Sequence, residues 1–430
     1  MVKGAEKLAG EVIGIMRKQI LNMSLLVLLG ACLGPIASLT LQEACAADAL
    51  RQEIGKPLQV AEELAKGHHY KEAQAKINEA DAVSNKTAYE SLIIERMRGA
   101  VAQAAGDSAT AAKAFETLID SGKLPPVEQQ KMVEAVAFLY YQSKNYAGAV
   151  QWAQRYVKEG GSDPQIHTLL AQSYYLNNDC SGVANQLQPQ MATDAKANRA
   201  PAEESLQLLA SCYQKQNDTA GYVSALETLV TYYPKKSYWA DLLHRLETKQ
   251  GFSDRLDLDL YRLKRASGDF GNASDYMEMA QLSLQAGYPV EAQKVIDEGF
   301  TTGVLGTGPD AGRQQRLKNM AVKNANQDQQ ALAQNESQAL VAGDGTGLIN
   351  VGFAYVLNGQ VEKGISLMQT GIAKGNLKRP DEAELHLGIA YYLAGQKAKA
   401  IETFKNVQGR DGTGDLARLW AIRTQSANAG

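Results

Sequence analysis

The chain offers few side chains able to do chemistry, and their spacing argues against most of it. Its histidines are His68, His69, His167, His244 and His386. None stands four residues from another, so no helix would turn two imidazoles toward one metal ion, and the adjacent His68 and His69 would point apart. All five are expected in turns or on solvated faces. The glycine runs Gly306-x-Gly308-x-x-x-Gly312 and Gly343-x-Gly345-x-Gly347 miss the dinucleotide-loop spacing, and no apolar strand leads into either. The chain contains no Walker A run, no H-E-x-x-H and no G-x-S-x-G. Asp411-Gly412-Thr413-Gly414-Asp415 lacks the further oxygen donors that calcium takes. The sequence therefore reads as non-catalytic, with no metal site and no cofactor.

The first stretch is built as an address. Arg17-Lys18 is followed by Ile20, Leu21, Leu25, Leu26, Val27, Leu28 and Leu29, then by small residues ending Glu43-Ala44-Cys45-Ala46-Ala47. A basic start, an apolar middle and a small-residue cleavage motif describe a secretory signal peptide over residues 1–46, cut after Ala46. The expected location is the periplasm of a bacterial cell. Gly30, Gly34 and Pro35 interrupt the apolar run before the roughly 20 residues that a membrane span needs. Leu29-Gly30-Ala31-Cys32 is similar to a lipobox, and lipidation of Cys32 would instead tether the chain to the outer membrane. Only in that case is a membrane a partner.

Cleavage leaves two of the four cysteines, Cys180 and Cys212, in an oxidising compartment. A disulfide pinning two neighbouring helices and a pair of separate buried thiols both fit their spacing. Apolar residues make up 45% of the chain and charged residues 21%, enough burial for a folded protein. The net charge of -3 argues against a nucleic-acid-coating surface.

The elements that would carry any site repeat themselves. Leu387-Gly388-Ile389-Ala390-Tyr391 is followed by Gly395, Ala400 and Phe404. The preceding unit reads Val351-Gly352-Phe353-Ala354-Tyr355, then Gly359, Gly364 and Met368, 36 residues earlier. Upstream, Val136-Ala137 with Tyr140, Leu170-Ala171 with Tyr174 and Leu209-Ala210 with Tyr213 keep the frame, their tyrosines 34 and then 39 residues apart. Small residues such as Ala149, Gly388 and Ala400 fit where two antiparallel helices cross, and Tyr391 and Phe404 fill the space beside that contact. Gly106-Asp107, Lys144-Asn145, Asn177-Asn178-Asp179, Gln216-Asn217-Asp218, Gly287-Tyr288-Pro289 and Gly395-Gln396 supply the turns.

With L-G-x2-Y followed by A-x3-F at a period near 34, the chain resembles the tetratricopeptide-repeat family over about residues 55–300 and 344–410. The resemblance implies an all-α fold, an α-solenoid of about nine antiparallel helix pairs wound as a superhelix. Residues 47–300 would form an N-terminal array and 344–430 a C-terminal repeat pair with a tail. Between them, 301–343 reads as a Gly-rich turn, a long Gln/Asn-rich helix and a second turn, either a joint or a lid across the groove. The resemblance also places the first helix of each pair on the concave face. Inward positions are then Phe138 and Tyr141, Gln172 and Tyr175, Gln207 and Ser211, Phe353 and Val356, Ile389 and Tyr392. Phe138, Tyr141, Tyr175, Phe353 and Tyr392 are the expected anchors for a protein or peptide partner. Glu134 and Phe138 stand where the family's clamp for acidic C-terminal peptides needs a cation and an amide. The functional expectation is a scaffold of the cell envelope, or, with Cys32 lipidated, a lipoprotein of an envelope assembly or polysaccharide-export complex.

Overall fold

The computed structural model describes residues 50–197 and 199–426. The expected signal peptide, with Cys32 and Ala46, lies outside the described residues. Among those described, all regular structure is helical. The chain divides into two compact units, one ending at Thr219 and the other beginning at Ala220.

The first unit holds α1 (Gln52–Lys66), α2 (Tyr70–Asp81), α3 (Ala88–Ala104), α4 (Ser108–Asp120), α5 (Pro126–Gln142), α6 (Tyr146–Lys158), α7 (Pro164–Leu176), α8 (Cys180–Lys196) and α9 (Glu203–Lys215). Each helix packs on its sequence neighbour, and first helices of successive pairs also touch, as in α1 with α3, α5 with α7 and α7 with α9. A lone pair could not bury its apolar face, so each leans on the next.

The turn inside each pair is three residues long, and its middle residue takes a left-handed conformation. His68, Lys144 and Asn178 have φ of 62°, 62° and 59°, and Gly106 has φ of 78°. The chain reverses there at once, which glycine and asparagine tolerate most easily. The third residue then caps the second helix: Asp107, Asn145 and Asp179 accept the backbone N–H groups of Thr110, Gly148 and Gly182. His68 and His69 belong to such a turn and are exposed.

The second unit holds α10 (Thr219–Tyr232), α11 (Lys236–Glu247), a 3-10 turn at Asp254–Leu256, α12 (Asp257–Ser267), α13 (Ala273–Gln285), α14 (Pro289–Thr301), α15 (Ala311–Val341), α16 (Thr346–Leu357), α17 (Val361–Lys374), α18 (Pro380–Leu393), α19 (Lys397–Asn406) and α20 (Thr413–Ser426). Its pairs α13–α14, α16–α17 and α18–α19 use the same turn, with Gly287, Gly359 and Gly395 at φ of 81°, 85° and 72°. At the crossing of α16 and α17 the backbones all but touch: a Cβ on Gly352 would lie 2.7 Å from the Gly364 carbonyl oxygen. Gly388 likewise lies against the ring of Phe404.

The structure moves the expected boundary. Residues 301–343 are no joint between two arrays but an interior part of the second unit. The 31-residue α15 packs on α13, α14 and α16. Its buried residues Leu317, Ala321, Ala325, Leu332 and Ala339 follow helical spacing. Two leucines and a run of alanines suffice because small side chains let neighbouring helices approach closely. Asp254–Leu256 forms a 3-10 turn that leads directly into α12.

Candidate interaction surface

Four of the five expected anchors are packing residues. Phe138, Tyr141, Tyr175 and Phe353 are at most 8% exposed, and only Tyr392 is half-buried, its ring edge-on to Trp420 at 5.0 Å. In the first unit the tyrosines are spent on the next repeat. The Tyr141 hydroxyl donates to Gln172 Oε1 at 2.8 Å, and the Tyr175 hydroxyl pairs with Ser211 Oγ at 2.7 Å. Aromatic rings thus bond one first helix to the following one rather than pointing into open space. Gln172 and Ser211 are buried with them, while Gln207 and Glu134 keep partial exposure.

The signature tyrosines have a second pattern that the sequence frame did not disclose. Tyr140 donates to Glu116 (2.7 Å) and Tyr355 to Glu336 (2.5 Å), whereas Tyr174 accepts from Gln154 (2.5 Å), Tyr213 from Gln188 (3.0 Å) and Tyr391 from Gln369 (2.8 Å). Each hydroxyl reaches the helix just before its own repeat, so the ring fills the pair while the hydroxyl ties it to the preceding one. Burial and the Glu116 carboxylate both push the Tyr140 hydroxyl's pKa above its ordinary value.

The second unit holds a buried charged centre. On α12, Arg262 donates to Asp259 Oδ1 (2.7 Å) and, as a fork, to both oxygens of Glu291 on α14 (2.9 and 2.6 Å). His386 on α18 meets both Asp259 oxygens at 3.1 Å. Phe353 on α16 stacks on the His386 ring at 5.0 Å and lies under the Arg262 guanidinium at 4.8 Å. All four ionisable side chains are under 10% exposed. Burial raises the Asp259 pKa, but the charges of His386 and Arg262 outweigh it and hold the carboxyl well below its usual range. Burial likewise opposes the charge on Arg262, and Glu291 and Asp259 overcome it. His386 was expected on a solvated face. It is buried where α20 packs back on α12 and His386 of α18 meets Asp259, 127 residues away in sequence.

That return is fastened around its edge. Arg255 pairs with Glu382 at 2.9 Å and with Asp411, and the Ser253 N–H donates to the Asp411 carbonyl at 3.0 Å. Arg423 on α20 donates to the Ala266 carbonyl at 2.6 Å, and Arg418 bonds Glu227 at 2.9 Å. The second unit therefore closes its last repeat onto its first helices. Contacts in the first unit run only between neighbours and next neighbours among the pairs that touch extensively.

One ionisable group on the first unit's inner positions is perturbed. Burial first, and then the charge of the neighbouring Asp163, push the Glu134 carboxyl from an ordinary 4.5 up to about 7. A raised carboxyl pKa means that the folded state binds its proton more tightly than the unfolded chain does. The contribution to stability is thus full below pH 4.5 and is lost as pH rises through about 7. Amide hydrogen exchange over residues 126–176 should be faster at pH 8 than at pH 5 after correction for intrinsic rates. Glu134→Gln should remove that difference, and a difference that persists in the variant would assign it to another group.

Cys180 at the start of α8 and Cys212 late in α9 form a disulfide, their Cα atoms 5.3 Å apart. The separation lies inside the roughly 7 Å limit for a bridge. The bond pins two successive pairs of the first unit at a buried point, Cys212 being 1% exposed.

Among known proteins, two sequence models of the family described as tetratricopeptide repeat match the chain, one over residues 96–164 and the other over residues 204–236 and 382–411. Solved structures similar to it include Naa15/Naa10 bound to HypK-THB, at 15% identity over 82% of this chain and 62% of that chain, with a TM-score of 0.31. The yeast Tom70 crystal structure is also similar, at 11% identity over 87% of this chain and 96% of that one, with a TM-score of 0.23. The chain thus spans under two thirds of the first of these. No curated protein matches it. The matched segments show that the chain carries tetratricopeptide repeats, set in an all-α array of helix pairs.

Proposed function

We propose that the chain is an exported scaffold of the bacterial cell envelope that takes a protein or peptide partner along the first unit, without turnover. The supporting observation is the contrast between the units. The second buries the Asp259–Arg262–Glu291–His386 centre, whereas the first keeps Glu134 and Gln207 partly exposed at inner positions of an array that does not return on itself. Export is supported by Arg17-Lys18, the following apolar run and Ala44-Cys45-Ala46.

The test is affinity capture from an envelope extract with the full mature chain and with the double variant Glu134→Lys and Gln207→Lys. Placing a positive charge at each of these half-buried positions should abolish capture of the specific partner while helicity stays unchanged. Equal capture by the variant would place the partner elsewhere. Leu29-Gly30-Ala31-Cys32 favours a second reading, a lipid-anchored component of an envelope assembly. Mass spectrometry of the mature N-terminus separates the two: a start at Ala47 supports the soluble scaffold, and a lipidated Cys32 supports the anchored one.

A further inference from the structure

The last helix of the first unit is held differently from those before it. α9 runs up to the end of the unit at Thr219, and the second helix of its own repeat, α10, belongs to the other unit. Within the first unit α9 packs on α7 and α8. Its apolar share in that contact is small: of its buried residues, Leu208 and Cys212 join the cluster that Tyr175, Cys180, Val183 and Leu187 build opposite. By contrast α7 sets Ile166, Leu169 and Leu170 into the larger cluster of α5 and α6. Beyond Leu187, α8 offers α9 little, since no side chain from Gln188 to Thr193 is buried and Pro189 lacks the N–H of a regular helical residue.

Polar ties add to the contact. The Tyr175 hydroxyl pairs with Ser211 Oγ at 2.7 Å, and the Tyr213 hydroxyl accepts from Gln188 Nε2 at 3.0 Å. The Lys215 ammonium lies over the Tyr175 ring at 3.8 Å and donates to Asn178 Oδ1 at 3.3 Å. Such ties are individually weak, because each replaces a bond that water would make. The Cys180–Cys212 bond sits inside this sparse contact and makes it covalent. Cys180 is 8% exposed and Cys212 1%, so a reductant reaches the bond from the Cys180 side.

We propose that this disulfide is a redox latch: a dithiol reductant opens it and releases α9 from α7 and α8, while the helix pairs before it stay folded. A thiolate of the reductant attacks Cys180 Sγ, the S–S bond breaks, and its electron pair leaves with Cys212 Sγ, which takes up a proton. The second thiol of the reductant then displaces Cys180, so the reductant ends as a disulfide and the protein as two thiols. An element at the end of an array, with few apolar contacts, opens at less cost than the unit as a whole. Because α9 carries Gln207, its release also removes an inner position of the partner surface; this consequence rests on the reading of the first unit given above.

The test is amide hydrogen exchange on the full mature chain before dithiothreitol, after it, and after reoxidation with oxidised glutathione. In the reduced chain, residues 203–215 should lose protection about tenfold or more relative to residues 88–158, and regain it on reoxidation. Cys180→Ala with Cys212→Ala should match the reduced chain and ignore dithiothreitol; the reduced wild-type chain carries the test if the variant does not fold. Partner capture from envelope extract should fall severalfold on reduction and return on reoxidation. Residues 203–215 as well protected as residues 88–158 in the reduced chain, or a bond that dithiothreitol leaves intact in the native chain, would overturn the latch. Release of α9 with capture undiminished leaves the latch standing and refutes the partner surface on the first unit. Capture absent from the oxidised wild-type chain refutes that surface and not the latch.

Discussion

Arg262→Leu should destabilise the second unit by about 3–5 kcal/mol, the cost of breaking a buried ion pair by removing one partner. The guanidinium bonds Asp259 and both oxygens of Glu291, and both carboxylates lie under 10% exposed. With Arg262 gone, Asp259 is left with His386 and Glu291 with the Ser283 hydroxyl at 3.4 Å to offset two buried charges. Arg262→Lys should lose less, because a point charge can satisfy one carboxylate but cannot hold the fork geometry. Trp239 and Trp420 are both buried in this unit, so in a Trp152→Phe background their fluorescence reports its urea transition alone. A loss below 1 kcal/mol would mean that the centre is open to water and that the last repeat is not sealed onto α12.

Reducing the Cys180–Cys212 bond should cost the first unit about 3 to 4 kcal/mol on the chain-entropy account, given a sequence separation of 32. The cross-link limits the unfolded chain more than it adds contacts to the folded one. The urea midpoint of the first unit should therefore fall on adding reductant, and Cys180→Ala with Cys212→Ala should remove that sensitivity. Titration of the untreated, denatured protein should find neither thiol free. Two free thiols, or a midpoint indifferent to reductant, would contradict the bridge.

Much of the fold is legible in the sequence because it is local. Gly388 against Phe404 needs only residues within one pair, and each three-residue turn is marked where Gly106, Asn178, Gly287 or Gly395 must take a positive φ. What the sequence hides is set by longer reach. The tyrosine hydroxyls find acids or amides between 19 and 25 residues upstream, and neither the spacing nor the partner type is constant. Asp259 and Arg262 look like a surface pair three residues apart, although Leu256, Leu258, Leu260 and Leu263 around them signal that this helix has little solvated face. Their burial follows from the return of the last repeat and α20 onto α12, a contact that no repeat frame specifies. The same return explains why Phe353 is no anchor: α12 already occupies the space in front of it. In α15 the abundance of glutamine and asparagine hid a packing stripe made mostly of alanine, which counts little in composition and much in helix approach.

The division of labour between an open first unit and a self-closed second one is tested most directly by site-specific photo-cross-linking in cells. A benzophenone amino acid would replace Glu134, Gln207 or Tyr392 in turn. The account predicts a partner adduct from positions 134 and 207 and none from 392, where the ring packs on Trp420. An adduct from 392 with none from 134 or 207 would contradict it.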